Sequence, residues 1–273
     1  MKTSYLQNLH THTTFCDGAD TPEEIVKEAI ALGFDSIGFS EHSYMACSEF
    51  YRNRGDHREA YQACIRQLKE AYRGQLDIFL GLETDLLSET SLEGYDYLIG
   101  SVHWMNIDGT PLPIDRSADY ARDFVDRYFA GDGIAYAKAY YRHLAELPTR
   151  ARFDIIGHFD LITKHMDTLT FFDPSSKEYL CAAFEAADAL CGKIPFFEVN
   201  TGAISRGYRK TPYPSIEILK ELRRLGYGAV ITSDCHRKDT LLCHFDEAAE
   251  LLRSCGFREK YILTDGGFVP AAL

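Results

Sequence analysis

Nothing in this sequence is long and apolar enough to span a membrane, and the opening stretch from Met1 to His10 carries no hydrophobic segment of the kind that directs export. The expected location is the cytoplasm. Positive charge is in deficit. With 29 Lys and Arg against 41 Asp and Glu, the net charge is −12. That excludes tracking of a nucleic-acid backbone through bulk electrostatics, although a local basic pocket for one phosphate remains compatible with it. The 8 cysteines, at positions 16, 47, 64, 181, 191, 235, 243 and 255, lack paired spacing. Neither a disulfide framework nor a CxxC zinc knuckle fits them, and most read as small buried hydrophobes. Charge blocks, low-complexity tracts and fixed-period repeats are missing, as are the GxSxG, Walker and HExxH motifs of covalent, nucleotide-dependent and zincin chemistry.

What is present is an ordinary globular composition, 45% hydrophobic and 26% charged over 273 residues. That length fills one large core, so a single domain over 1–273 is expected. Apolar runs predict strands near 5–10, 35–40, 77–83, 96–102, 153–158, 195–199 and 228–233. Helical patterns fall at 22–32, 57–73, 119–130, 133–146, 175–191, 214–225 and 241–254. Thr21-Pro22-Glu-Glu24 and Asp173-Pro174 signal helix starts, and Gly33, Gly74, Gly192 and Gly226 signal ends. Alternation of this kind implies a parallel sheet, and seven strand-helix units can close into a TIM-like α/β barrel with its active site at the carboxyl ends of the strands.

Metal-ligand fragments recur at those ends. His10-Thr-His12 places two imidazoles on one face of a strand, because side chains alternate, and Asp234-Cys-His236 repeats the device near the far end. Between them lie Asp17, Glu41-His42, Glu83, Ser101-Val-His103 and Gly157-His158. If the first strand lies beside the last, these scattered donors form one polynuclear centre. Mixed imidazole and carboxylate donors suit zinc, iron or manganese without choosing among them. His57 and His143 read as helix-surface residues, His165 and His244 as packing or supporting residues. Cys16 and Cys235, each beside a ligand, read as packing residues on the opposite face.

Taken together, HTHTTFCDG (10–18), GFSEHS (38–43), GLETDLL (81–87), YLIGSVHW (97–104), DIIGHFDLITKH (154–165), FEVNTG (197–202) and TSDCHRKDTL (232–241) cover nearly the whole chain. They resemble the polymerase and histidinol phosphatase (PHP) superfamily, and within it the monofunctional histidinol-phosphate phosphatases. The resemblance implies a distorted (β/α)7 barrel and three divalent metal ions. It places His10, His12, Glu83 and Asp234 on the first metal, Glu83, His103 and His158 on the second, and Asp17, His42 and His236 on the third. Some relatives carry His where this chain has Asp17.

The implied reaction is hydrolysis of L-histidinol phosphate to L-histidinol and inorganic phosphate in histidine biosynthesis. Phosphate monoester hydrolysis needs up to about 10²¹-fold acceleration, far beyond one acid-base pair at about 10²- to 10⁴-fold. The expected mechanism is therefore direct attack by a hydroxide bridging the two metals that share Glu83. Glu83, Asp234, His42 and Arg206 carry the catalytic expectations, with His42 or a metal-bound water protonating the leaving group. Arg206 lies where the resemblance puts a phosphate-binding arginine, and Arg209, Lys210 and Arg237 are nearby substitutes. For a leaving group with an imidazole and an amine, Trp104 offers a stacking face, and Asp108 and Asp115 offer carboxylates. The expected partner is a small phosphate monoester, without nucleic acid or membrane. A PHP phosphoesterase acting on other small phosphate esters or nucleotides is the alternative activity, and a non-catalytic metal-binding scaffold is the alternative class.

Overall fold

The computed structural model describes residues 5–49 and 55–273. Strands β1 (Gln7–Asn8), β2 (Ser36–His42), β3 (Asp77–Asp85) and β4 (Tyr97–Ser101) are followed by a hairpin of β5 (Trp104–Ile107) and β6 (Thr110–Pro113). Then come β7 (Ile155–Ile156), β8 (Phe196–Asn200) and β9 (Gly228–Thr232), and a second hairpin of β10 (Glu259–Thr264) and β11 (Gly267–Ala272). Seven of these strands form one parallel sheet in the order β1-β2-β3-β4-β7-β8-β9. Closure comes just past the strand ends, where His12 N donates to Cys235 O (2.8 Å) and Cys235 N donates to His10 O (3.0 Å). Those two bonds set the HxH pair against Asp234 and His236. The result is a distorted TIM-like barrel, as the strand-helix alternation predicts.

Helices α1 (Pro22–Ala31), α2 (Arg58–Ala71), α3 (Ala118–Phe129), α4 (Gly133–Ala145), α5 (Lys177–Leu190), α6 (Ile216–Leu225) and α7 (Phe245–Ser254) cover the sheet. Thr21 and Glu24 form the capping box expected from sequence, with Thr21 N donating to Glu24 Oε2 at 2.9 Å. The start of α5 is corrected: Ser176 caps it, while Asp173 instead accepts from Ser175 N within the preceding turn.

Inside the barrel, Tyr97 lies across two glycines. A Cβ on Gly81 would come within 2.2 Å of Tyr97 Cζ, and one on Gly38 within 2.4 Å of its hydroxyl. The hydroxyl donates to the carbonyls of Leu9 and Phe39, so its burial leaves no unmet polar group. Gly81→Ala is expected to destabilise the protein by about 2–3 kcal/mol through overpacking and to lower Tm by roughly 5–10 °C, measured by thermal unfolding.

Both hairpins are additions to the predicted elements. Pro111 and Pro113 make the first one read as loop, yet a two-stranded ribbon tolerates proline where no ladder bond is needed. The second closes the floor of the barrel. Gln7 Nε2 donates to Leu263 O (2.8 Å), Leu263 N donates to Gln7 Oε1 (2.7 Å), and Phe268 and Tyr261 pack on Phe196. With the floor apolar, the polar donors collect at the opposite rim.

Candidate metal centre

Four donor atoms stand at the closure point. His10 Nε2 lies 3.3 Å from Glu83 Oε2 and 3.6 Å from Asp234 Oδ1, and His12 Nε2 lies 3.6 and 3.3 Å from the same two oxygens. A tetrahedral ion bound at about 2.0–2.2 Å needs its ligands about 3.3–3.6 Å apart, which is this spacing. Moreover His10 Nε2, His12 Nε2 and Glu83 Oε2 are buried and complete no hydrogen bond, an arrangement that costs free energy unless a cation satisfies it. The donor set fits a divalent metal.

The other carboxylate oxygen of Glu83 begins a second group: Oε1 lies 3.0 Å from His158 Nε2 and 3.3 Å from His103 Nε2, and the two nitrogens are 3.2 Å apart. Asp17 begins a third, 3.3 Å from His236 Nε2 and 3.7 Å from His42 Nε2. His42 also reaches Glu83 Oε2 through Nδ1 at 2.8 Å, so it stands between groups. All nine donors named from the sequence are thus gathered at the carboxyl ends of the strands. Asp234, two residues past the end of β9, takes a left-handed backbone, φ +45°, a conformation short polar residues tolerate.

Burial and neighbouring charges shift the donors in different directions. Burial works against the Glu83 charge, but His10, His103 and His42 hold its carboxyl well below the usual range. Burial also opposes the Asp234 charge, and the Arg206 guanidinium with His10 overcomes it. His12 is pushed down to about 3 by burial and by the flanking His42 and His236, whose ring centroids each lie 4.3 Å away, which favours the neutral imidazole. His103 goes the other way: despite burial, Glu83 and Asp85 raise it to about 10.

The sequence reading passed over Glu198. Its Oε2 accepts from His10 Nδ1 and Thr232 Oγ1, both at 2.8 Å, and its Oε1 accepts from His158 N (2.7 Å) and Asn200 Nδ2 (2.8 Å). One buried carboxylate therefore turns His10 Nε2 toward the donor set and fixes the backbone of His158. A glutamate inside an apolar barrel strand, Phe196-Phe-Glu-Val-Asn200, is the signal that points to it. Glu198→Gln is expected to weaken metal affinity about 10- to 100-fold, read by competition with a chromophoric chelator.

Several other expectations need correction. Cys16 is not turned away from the ligands, because residues 14–17 form a turn rather than a strand. Its sulfur lies 3.4 Å from His12 Nδ1 and 3.2 Å from Asp17 Oδ1. Asp108 sits at the tip of the first hairpin, where it and Gly109 have positive φ, and it lines no part of the cavity above the donors. Arg237 is exposed and paired with Asp239. Lys210 is exposed and binds Asp167 through its backbone. Arg209 packs over the Tyr213 ring and faces Asp160 and Thr163. Of the proposed cations, Arg206 alone lines the cavity, bonded to Asp234 Oδ2 (2.8 Å) and His236 Nδ1 (2.7 Å). Lys164 joins it there, unforeseen, in the loop after β7. Trp104 and Asp115 line the cavity as expected.

Comparison with known proteins agrees with this geometry. The PHP domain family matches residues 8–202. The chain belongs to the PHP family. Among its PHP relatives, the "probable histidinol-phosphatase" of Deinococcus radiodurans is 28% identical over 271 residues, spanning 93% of this chain and 95% of the relative. The histidinol-phosphatase of Bacillus subtilis is 27% identical over 257 residues, spanning 84% and 92%. The PHP barrel also superposes on the crystal structure of histidinol phosphate phosphatase from Lactococcus lactis, complexed with zinc, L-histidinol and phosphate. There the TM-score is 0.69 at 22% identity, covering 97% of this chain and 98% of that one.

Proposed function

We infer that this chain is a metal-dependent histidinol-phosphate phosphatase, a single catalytic unit that hydrolyses L-histidinol phosphate to L-histidinol and inorganic phosphate in the cytoplasm. The observation that carries the reading is the convergence of nine donors, bridged by Glu83, on a cavity that also holds two cations, Lys164 and Arg206. Among the described residues no helix is long and apolar enough to cross a membrane.

His10, His12, Glu83 and Asp234 would hold one divalent ion, Glu83 with His103 and His158 a second, and Asp17, His42 and His236 a third. Zinc, iron and manganese all suit the donors. Bound there, such ions supply Lewis acidity, which activates water near neutral pH and neutralises charge on phosphoryl oxygens. The protein's own groups do the rest. Arg206, pinned between Asp234 and His236, and Lys164, which lines the same space, take the non-bridging phosphate oxygens. Leu161 and Tyr213, both buried, line the same space. No Ser, Thr or Cys lines this inner space among the described residues, which supports attack on phosphorus by water rather than by a serine, threonine or cysteine of the enzyme.

The test is steady-state kinetics of the metal-loaded protein on a panel of small phosphate esters and nucleotides. Histidinol phosphate is expected to give the highest kcat/KM. A higher value for a nucleotide or sugar phosphate would replace this reading with the broader PHP phosphoesterase one.

A further inference from the structure

The cavity above the donors has two lobes that share Asp17, His42, Glu83, His103 and Asp115 and differ in their cations and in their apolar walls. The inner lobe, about 190 Å³, carries Lys164 and Arg206 beside the metal donors. The outer lobe, about 660 Å³, is walled by Trp104, Leu112, Pro113 and Tyr120 and contains the carboxylates of Glu49, Asp85 and Asp115. Among its described lining residues Arg116 is the one Lys or Arg, and its guanidinium rests over the Tyr120 ring at 5.4 Å.

Asp115 stands where the lobes meet and lines both, whereas Lys164 lines the inner lobe alone. Lys164 Nζ donates to Asp115 Oδ2 (3.2 Å) and to the Asp115 carbonyl (2.8 Å), and it lies 4.8 Å from the centre of the Tyr208 ring. The pair is thereby fixed, with the lysine lining only the inner lobe and the aspartate reaching the outer one as well. Asp85 is already engaged. Its carboxylate accepts the backbone N–H groups of Leu87, His103 and Trp104. The backbone of Trp104 is held there by that last bond and by pairing with Pro113 across the hairpin, and its indole lines the same lobe as Asp115. An indole and a carboxylate in one lobe fit a ring that bears, or lies near, a positive nitrogen.

We propose that Asp115 and Trp104 recognise the leaving alcohol, the carboxylate binding a positive nitrogen and the indole a ring. The site is thereby selective for phosphate esters of cationic, ring-bearing alcohols. The proposal deepens the histidinol-phosphate reading and rests on it for the choice of test substrate.

The experiment compares the metal-loaded wild type with Asp115→Asn, Trp104→Ala and the conservative Asp115→Glu and Trp104→Phe. Three esters are used: histidinol phosphate (ring and cation), phenyl phosphate (ring alone) and phosphoethanolamine (cation alone). Asp115→Asn is expected to lower the ratio of kcat/KM for histidinol phosphate to that for phenyl phosphate roughly 10- to 100-fold. Trp104→Ala is expected to lower the ratio of histidinol phosphate to phosphoethanolamine about 3- to 10-fold. The conservative variants should recover part of each loss. Calorimetry with free histidinol, expected to bind Asp115→Asn about 10-fold more weakly, gives a readout independent of turnover. Metal analysis and circular dichroism show that each variant has folded. If either substitution lowers all three esters by one common factor, the residue acts structurally and the proposal is overturned. If the wild type does not favour histidinol phosphate, the functional reading fails. Asp115 is then judged by the ratio of phosphoethanolamine to phenyl phosphate, which must still fall in Asp115→Asn.

Discussion

Replacing Glu83 with Gln is expected to lower kcat by at least about 10³-fold while the barrel stays folded. The two oxygens of Glu83 serve two donor groups. Oε2 lies 3.3 Å from His10 Nε2 and Oε1 lies 3.0 Å from His158 Nε2. An amide keeps one of those acceptors and replaces the other with an N–H donor facing imidazole nitrogens. It also removes the negative charge that the surrounding imidazoles stabilise. One substitution therefore damages both metal positions, which sets it apart from loss of a terminal ligand. Phosphate release, metal content and far-UV circular dichroism check the prediction together. A variant that keeps its metals and turns over within tenfold of wild type would remove Glu83 from its bridging role.

Chelation is expected to be as severe. After exhaustive removal of metal, phosphate release from histidinol phosphate should fall below roughly 1% of the loaded rate, because among the described residues no serine, threonine or cysteine lines the inner lobe to attack phosphorus instead. Reconstitution with zinc, iron or manganese, each alone, should restore activity to different extents and so rank the ions. Full activity in protein verified to be metal-free would sink the mechanism.

The donors were legible in the sequence because ligation demands few residue types and strand geometry demands an alternate spacing. His10-Thr-His12 and Asp234-Cys-His236 announce themselves for that reason, and Gly226 (φ +88°) does the same for the end of α6. Supporting groups were less visible. Glu198 touches no cavity and makes its contribution through His10 and His158, partners 188 and 40 residues away in the chain. Lys164 follows β7 by several residues and is indistinguishable from a solvated lysine until the Asp115 loop packs against it. The floor hairpin did carry a local sign, Asp265-Gly266 between alternating apolar residues, and it is a turn signal that the helix-strand alternation obscures.

Sequence by itself determined the parallel barrel, the nine candidate ligands and their placement at strand ends, since hydrophobic period, capping residues and donor chemistry are all local properties. Tertiary structure alone decided which oxygen of Glu83 faces which group, that Arg206 braces Asp234, that Arg209, Lys210 and Arg237 lie elsewhere, and that Lys164 pairs with Asp115 where the lobes meet. Those outcomes depend on side-chain directions and on distances between remote segments. They are fixed only when backbone bonds between His10, His12 and Cys235 bring the first strand against the last.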